Sequence, residues 1–299
     1  MHKIYTIMFW VSILLAKSSI VVVLIFGLRL GVDFKGGSVL ELEFTKGRPE
    51  IEAVQKSLFD FKDLSLTPFG ANGLIIRTGE LSEQNHQIIL GKFKTSFPSS
   101  GLEERKFDSV GPLIGNELKN KSIIAIILVL FGVIVYIAIV FRRLSGVLPF
   151  WAMGLSAIVA LVHDVVIPMG VFALLGHFYG IEISAVFVAA ALTVLGYSVS
   201  DTVVVFDRVR ENVGRDISKF RHVDMSFGAV VHRSIMQTLT RSLNTTFTTL
   251  LSLIAIYLFG GESIKYFALA MIMGIFLGAY SSIFVASPLL VWWNRRAHG

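Results

Sequence analysis

Long runs of apolar residues dominate the chain, and six of them are long enough to cross a membrane as helices, which takes about 20 residues each. The charged residues between the runs predict spans at about 4–30, 122–141, 147–175, 182–206, 239–259 and 266–293. One large polar block, residues 31–121, separates the first span from the other five. The first run is too long for a signal peptide and lacks a small-x-small cleavage site. Residues 1–30 are therefore predicted to form a retained first transmembrane helix.

Within the polar block, residues 31–121, the apolar positions follow the periods of a small α+β domain. The predicted elements are a strand at 37–44, a helix with Pro49 at its first position, two strands around a turn holding Asn72-Gly73, a helix from Ser82 as N-cap to about Phe97, and a strand at 101–109. The order β-α-β-β-α-β indicates a ferredoxin-like domain. Its one histidine, His86, is expected to be an ordinary surface or core residue.

The basic residues between the spans indicate how the chain is oriented in the membrane. Arg142 and Arg143 occupy the connection at 141–148, and Arg295 and Arg296 end the chain. The connection at 207–238 carries six more basic residues, namely Arg208, Arg210, Arg215, Lys219, Arg221 and Arg233. The opposite connections, at 176–181 and 260–265, hold only Lys265 between them. Because cytoplasmic loops are rich in Lys and Arg, both termini are predicted to be cytoplasmic and the 31–121 domain to lie outside.

Composition agrees with a membrane protein and excludes several other classes. The 299 residues are 54% hydrophobic, and the mean hydropathy is +0.71, which is too apolar for a soluble globular protein. There is no cysteine, so disulfides, thiolate metal sites and cysteine nucleophiles are excluded. The net charge of +6 does not indicate nucleic-acid binding, because the basic residues flank the apolar runs.

Asp201 lies inside the fourth span, where a carboxylate is costly unless it is paired, hydrated or protonated. At helical spacing it shares a stripe with Thr193, Tyr197, Ser200 and Val204. This mostly polar face is predicted to point into the helix bundle or into a wet cavity. Two interpretations stand: a hydrogen bond that joins helices, or a carboxyl group that binds and releases a proton as the helices move.

Arg241 is predicted to be the partner of Asp201, because both lie in the cytoplasmic third of their spans. As a fixed positive charge it would bias a titratable aspartate. Its stripe continues in hydroxyl residues, which are Thr245, Thr248, Thr249 and Ser252. The alternative is that Arg241 is a snorkelling residue at a helix end.

His163 and Asp164 lie near the middle of the third span, where ionisable residues are costly and usually have a functional or structural role. Adjacent helical residues point about 100° apart, so the two are predicted to be poor partners for each other. Asp164 continues a small-residue stripe, Ala152, Ser156 and Ala160, which predicts that it faces another helix. A proton relay and a helix-bridging hydrogen bond are both open, and a metal site would need more ligands.

Other polar or small residues in the spans are interpreted structurally. Ala270, Gly274, Gly278, Ser282 and Ala286 recur every four residues in the sixth span and predict close helix packing. The exit of the fourth span holds Asp207, Arg208, Arg210 and Glu211, which are expected to form a solvated helix end. Lys17, inside the first span, either points into the bundle or snorkels.

Two glycine-containing segments flank the 31–121 domain. "GVDFKGG" at 31–37 follows the first span, and "VGPLIGNEL" at 110–118 precedes the second. Glycines and Pro112 suit the turns between membrane and domain. A phosphate loop at Gly36-Gly37 is disfavoured, because no helix with a Lys-Ser/Thr pair follows.

The chain resembles the SecD/SecF family of bacterial protein-export membrane proteins, part of the RND superfamily. The motifs that carry the resemblance run in the same order over nearly the whole chain. They are "LGVDFKGGSVLELEF", which includes Gly31, Asp33, Phe34, Gly36 and Gly37, "VGPLIGNEL", "LVHDVVIPMGVF", "LGYSVSDTVVVFDRVREN", "TLTRSLNTTFTTLLSLIAIYLFGG" and "GAYSSIFVASPLL".

The resemblance implies half of an RND-type transporter in the bacterial cytoplasmic (inner) membrane. It implies pairing with SecD and binding to the SecYEG translocon, with a YajC-type accessory protein and SecA-driven preprotein, and use of the proton motive force in late-stage export. The positions matching Asp201 and Arg241 belong to the family's proton-transfer machinery, and Asp164 has a core role. No cofactor and no enzymatic activity are implied.

Three rival functions were weighed against protein export. An RND-type exporter of small molecules or lipids shares the intramembrane aspartate but would have twelve spans. An intramembrane aspartyl protease needs Tyr-Asp and Gly-x-Gly-Asp, whereas this chain has His163-Asp164 and Ser200-Asp201. A purely structural scaffold would not need charges inside its spans.

Overall fold

The computed structural model describes residues 3–61, 64–141, 150–220 and 226–298. The chain divides into two compact units. The helical unit comprises Met1–Arg29 and Ile124–Gly299, and the sheet unit comprises Leu30–Ile123. In chain order the helices are α1 (Lys3–Phe26), α2 (Val32–Lys35), α3 (Ile51–Ser57), α4 (Glu83–Ser96), α5 (Pro112–Val140), α6 (Phe150–Tyr179), α7 (Ala185–Phe220), α8 (Phe227–Phe259), α9 (Glu262–Ser281) and α10 (Ser287–His298).

Six helical segments among the described residues are long and apolar enough to span a membrane. They are Lys3–Phe26, Pro112–Val140, Trp151–Tyr179, Ala185–Gly214, Phe227–Phe259 and Ile264–Arg296. The last of these is made of α9, a π-helical turn (Ser282–Ala286) and α10, which follow one another directly. The predicted fold class, a six-span helical membrane protein with an α+β domain, is confirmed.

The predicted loop at 207–238 is wrong over most of its length. α7 continues to Phe220 and α8 already begins at Phe227. The apolar period explains the extension, because Val205, Val209 and Val213 recur every four residues and are all buried. A prediction that counts apolar residues places the end of a span at the first charged residue. The helix itself continues for as long as one of its faces packs against other residues.

Some of the basic residues from which the membrane orientation is predicted lie outside the described residues. Arg142, Arg143 and Arg221 fall in the undescribed segments at 142–149 and 221–225. Arg208 and Arg210 are described, and each pairs with an acidic residue three positions away on α7: Arg208 with Glu211 at 2.5 Å and Arg210 with Asp207 at 2.5 Å. These pairs lie on the partly exposed surface of α7, but the helix continues to Phe220, so the prediction that these residues form a helix end is wrong.

The sheet unit is an antiparallel four-stranded sheet with two larger helices. Its strands are β1 (Gly37–Phe44), β2 (Ser65–Phe69), β3 (Gly73–Thr78) and β4 (Leu102–Val110). Their order in the sheet is β2-β3-β1-β4, which is the ferredoxin-like arrangement of a split β-α-β unit. The core joins Leu40, Leu42 and Phe44 of β1 to Ile89 and Phe93 of α4.

The helix starts of the sheet unit test the capping predictions. Ser82 caps α4, because its side chain accepts a hydrogen bond from the Asn85 backbone amide, so that prediction is confirmed. α3 begins at Ile51 with Glu50 as its N-cap, so Pro49 precedes the helix and the prediction that Pro49 opens it is wrong. His86 is buried, stacks on Phe107 at 3.9 Å between ring centroids and lies 3.2 Å from the Glu104 carboxylate.

The two glycine segments meet inside the sheet unit. Gly36 has φ 79° and ψ 161°, and Gly37 has φ 124°, which are conformations that side chains other than glycine rarely adopt. A Cβ on Gly36 would lie 2.7 Å from the Cα of Pro112, and one on Gly37 would lie 2.7 Å from the Thr78 carbonyl oxygen. Gly115 closes the contact, since its Cβ would lie 3.0 Å from the Gly36 nitrogen. The segments before β1 and after β4 are thus held backbone to backbone.

Gly36→Ala and Gly37→Ala are each expected to destabilise the sheet unit by about 1–3 kcal/mol, because each imposes backbone strain as well as a steric clash. The measurement is amide hydrogen exchange of β1 in the full chain in detergent. Gly91→Ala is the control. An added Cβ there, within α4, would meet nothing within 4 Å, and alanine favours the helix by about 1 kcal/mol. Equal exchange rates in all three variants would contradict this account of the glycines.

Candidate functional site

Asp164 lies wholly buried in the middle of α6. Its Oδ2 accepts hydrogen bonds from Ser198 Oγ of α7 at 2.6 Å and from Ser281 Oγ of α9 at 2.7 Å. Its Oδ1 lies 2.9 Å from Nδ1 of His163. The stripe of small residues on α6 therefore does bring Asp164 against other helices. Three polar groups surround a carboxyl that has no access to water, which is what a buried carboxylate requires.

The prediction that His163 and Asp164 are poor partners is wrong. Their Cα–Cβ bonds diverge, but the imidazole reaches back so that its Nδ1 is within hydrogen-bond distance of the carboxylate. The His163 ring stacks beside Tyr280 at 6.2 Å between centroids. Its Nε2 is buried and finds no hydrogen-bond partner among the described residues. The tautomer with its proton on Nδ1 donates to the carboxylate and leaves Nε2 as an acceptor.

Asp201 lies on α7 and is 9% exposed. Its Oδ2 accepts a hydrogen bond from Ser282 Oγ at 2.6 Å. Ser282 is the one hydrogen-bond donor to Asp201 in the part of the chain that the structure describes. Asp201 is therefore slightly less buried than Asp164, which is 0% exposed, and it has fewer hydrogen-bond donors.

The predicted pairing of Asp201 with Arg241 is wrong for this chain. Arg241 is exposed on α8, and among the described residues it forms no ion pair. The buried face of α8 is instead formed by the neighbouring register, Ser234, Thr238, Ser242 and Thr246. The stripe of Arg241 has Thr245, Thr248 and Ser252 exposed and Thr249 half-buried. These hydroxyls donate to carbonyl oxygens of α8 itself, three or four residues earlier.

The predicted inward face of α7 also needs correction. Thr193 and Ser200 are exposed, and Tyr197 and Val204 are half-buried. The hydroxyl of Thr193 donates to the Ala189 carbonyl of the same helix, whereas the buried Tyr197 hydroxyl has no partner among the described residues. Asp201 departs from this stripe because its side chain turns to the buried face.

The small-residue strip of the sixth span lies against α7. A Cβ on Gly274 would lie 2.3 Å from Val194, and one on Gly278 would lie 3.0 Å from Ser198. The strip continues through buried Ser282 and Ala286, and Ala270 is buried at its other end. Close contact of α9 with α7 brings the Ser282 hydroxyl within reach of Asp201.

Sequence reasoning missed two members of this cluster, Ser198 and Ser281. Ser198 precedes Asp201 by three residues and so shares its buried face, a spacing that could have singled it out. Ser281 gave no signal apart from its position next to Ser282. Both are small enough to pass as packing residues in an apolar helix.

The remaining candidates lie apart from the carboxylates. Lys17 is exposed on α1, so of the two alternatives it does not point into the bundle of this chain. The described residues contain no group of three His, Cys, Asp or Glu side chains arranged to hold a metal ion.

Comparisons with known proteins identify relatives over nearly the whole chain. Residues 92–296 match the family model of the protein export membrane protein SecD/SecF, C-terminal, and residues 21–47 match that of the SecD/SecF GG motif. The protein translocase subunit SecF of Thermobaculum terrenum is 41% identical over 95% of this chain and 90% of its own length. The subunit SecF of Anaerolinea thermophila is 37% identical over 96% of this chain and 91% of its own.

Two longer relatives contain a region like this chain. The protein translocase subunit SecDF of Brucella abortus is 36% identical over 89% of this chain, which corresponds to 33% of the relative. The crystal structure of SecDF from Thermus thermophilus, a translocon-associated membrane protein, matches with a TM-score of 0.81 and 33% identity. That match covers 98% of this chain and 38% of the longer one.

Ser198→Ala and Ser281→Ala are each expected to lower the free energy of unfolding by about 1–3 kcal/mol, because each removes a donor from a buried carboxylate. The measurement is denaturant unfolding of the full chain in detergent. Ser252→Ala is the matched control, since that serine is exposed and bonds only to α8. Its unfolding free energy should change by less than about 0.5 kcal/mol. Losses of the same size in all three variants would argue against a special role for the Asp164 donors.

Proposed function

Because the chain belongs to the SecD/SecF family of protein-export membrane proteins, we propose that it is the SecF half of a protein translocase. In this proposal it pairs with SecD and binds the SecYEG translocon in the bacterial cytoplasmic membrane, with a YajC-type accessory protein and SecA-driven preprotein as further partners. The pair uses the proton motive force to promote late export of unfolded polypeptides. Both termini are cytoplasmic, and residues 31–121 lie outside.

The observation that carries the proposal is the environment of Asp201. This carboxyl is buried within a membrane-spanning helix, has one hydrogen-bond donor and has no ion pair among the described residues. Ionisable residues inside membrane spans are costly and mark proton or substrate pathways in transporters. A carboxyl that is buried in a span without a paired cation is therefore a candidate for the group that carries the proton.

Exposed polar residues on α7 and α8 support pairing with SecD. They are Thr193 and Ser200 of α7 and Arg241, Thr245 and Thr248 of α8. The threonine hydroxyls are satisfied within their own helices, but the Arg241 guanidinium is too costly to leave facing lipid tails. A second membrane half that covers these residues would satisfy the arginine. The longer SecDF relatives, of which this chain matches about a third, are consistent with two such halves.

The energy for transport comes from proton movement at Asp201. One charge moving down a potential of ~100 mV supplies about 2.3 kcal/mol, enough to shift a two-state equilibrium substantially. In the proposal, protonation of Asp201, assisted by Asp164 with His163, changes the helix packing. The change reaches the 31–121 domain along the chain segments 31–37 and 110–121, and the domain holds or releases the emerging polypeptide.

Asp201→Asn is expected to abolish the gradient-dependent part of export, because asparagine keeps the shape but cannot bind the proton. The measurement is translocation of a secreted reporter into inverted membrane vesicles that contain the variant with SecD and SecYEG, with and without a proton gradient. Asp207→Asn is the control, because Asp207 lies on the same helix but is exposed and paired with Arg210. Export by Asp201→Asn that still responds fully to the gradient would overturn the proposal.

Arg241→Ala is expected to weaken copurification with SecD and to reduce gradient-dependent export, while leaving the unfolding free energy of the isolated chain within about 0.5 kcal/mol of the wild type. The reason is that Arg241 is exposed in this chain and is covered only by the partner. Lys17→Ala removes an equally exposed positive charge from α1 and serves as the control. A loss of stability in the isolated chain, with SecD binding intact, would contradict the proposed interface.

A further inference from the structure

Ser281 and Ser282 are adjacent residues of the sixth span, yet they donate to carboxylates on two different helices. Ser281 Oγ lies 2.7 Å from Asp164 Oδ2 on α6, and Ser282 Oγ lies 2.6 Å from Asp201 Oδ2 on α7. Successive residues of a helix point about 100° apart, so one helix packed between two others reaches both. The pair lies where α9 ends and the π-helical turn Ser282–Ala286 begins.

Each of these hydroxyls has a second acceptor on its own helix. Ser281 Oγ is also 3.2 Å from the Gly278 carbonyl oxygen, and Ser282 Oγ is 3.0 Å from the Ala279 carbonyl oxygen. A serine hydroxyl has one proton and can donate to one acceptor at full strength. The shorter distances are to the carboxylates, as expected for charge-assisted hydrogen bonds.

We propose that Ser281 and Ser282 are positioning residues that transmit the protonation of Asp164 and Asp201 to the π-helical turn. When a carboxylate binds a proton, the new carboxyl O–H donates to the serine oxygen. The serine proton then turns to the carbonyl of Gly278 or Ala279. No covalent bond other than the carboxyl O–H is formed, and the inference rests on the proposed function, since it takes Asp201 as the proton-binding group.

The π-helical turn is a segment whose geometry can respond to this change in hydrogen bonding. π-Helical turns are rare, appear mostly as single turns inside α-helices, and are frequent at functional sites. A serine that bonds back to its own helix bends that helix. Here the Ser282 carbonyl also accepts a hydrogen bond from Ser287 Oγ across the turn at 2.7 Å. Ser282 is the first residue of the π-helical turn, so a change in its hydrogen-bond acceptor changes the geometry of that turn. The helix that follows the turn, α10, would then move relative to α7.

Other titratable groups lie on the helices around the serine pair. His163 bonds Asp164 on α6, and Tyr280 on α9 stacks beside His163. Tyr197 on α7 keeps a buried hydroxyl, and Tyr5 of α1 bonds His232 of α8. Arg241 of α8 and Lys17 of α1 are exposed. Among these groups, His163 is the one that contacts a carboxylate bound by the serines, that of Asp164. It must therefore be varied separately from the serines.

The chain has no native cysteine, so two spin labels can be placed on it alone, before SecD is added. Gly214→Cys, at an exposed position within α7, and Arg295→Cys on α10 report the position of α10. An added Cβ at Gly214 would meet nothing within 4 Å. The sample is the full chain with SecD in lipid nanodiscs, and the measurement is the distance distribution from pulsed EPR. Asp201→Asn stands for the neutral carboxyl and is expected to shift the distance by on the order of 1.5 Å, the rise of one helical residue.

Serine variants test whether the shift passes through the hydroxyl. Ser282→Ala should abolish the difference between Asp201 and Asp201→Asn, and Ser282→Thr, which keeps the hydroxyl, should restore it. His163→Gln should leave the difference in place. A shift that persists at full size in Ser282→Ala would overturn the inference.

The outcomes separate this inference from the proposed function. If Asp201→Asn abolishes gradient-dependent export but leaves the distance unchanged, Asp201 is the coupling group and the serine mechanism is wrong. If Ser282→Ala does not fold, amide hydrogen exchange of residues 283–287 decides instead. It should differ between wild type and Asp201→Asn while the amides of α6 stay unchanged, and identical exchange in the two proteins would refute the inference.

Discussion

The hydrogen bonding of Asp164 is the constraint on which the arrangement of the helical unit depends. A carboxylate with no access to water must be given donors, because leaving it unsatisfied costs more than any single packing contact returns. Its donors come from α6 itself, from α7 and from α9. Each of these helices must therefore present a polar side chain at one depth and one rotation. Gly274 and Gly278 allow the close approach of α9 to α7 that this geometry needs.

The sequence predicted the order of elements well, because burial at every second or fourth residue leaves a period that can be read directly. β1 alternates in burial from Leu40 to Phe44, and Val205, Val209 and Val213 mark one face of α7. The partners of the carboxylates could not be predicted in the same way. Arg241 and Ser242 are neighbours, yet one is exposed and the other buried. A rotation of α8 by one residue determines which of the two is buried. Both faces of α8 carry stripes of hydroxyl residues, so the sequence does not indicate which face is buried.

The distribution of polar groups divides the helical unit into two kinds of surface. Toward the inside, serine hydroxyls from α7 and α9 are used to hold carboxylates. Toward the outside of α7 and α8, threonine hydroxyls bond to carbonyl oxygens of their own helices, and Arg241 forms no ion pair with any described residue. The two surfaces thus use their hydroxyl groups differently: the inner one holds carboxylates of neighbouring helices, and the outer one bonds within a single helix.

The contact of Gly36 and Gly37 with Pro112 and Thr78 has a mechanical consequence. It is made of main-chain atoms, so its strength is independent of ionic strength and of any titration in the physiological range. The two strands that enter and leave the sheet are clamped at one point, and tension on either flanking segment is shared by both. Such a joint passes displacement from one flanking segment to the other without depending on the charge of any side chain.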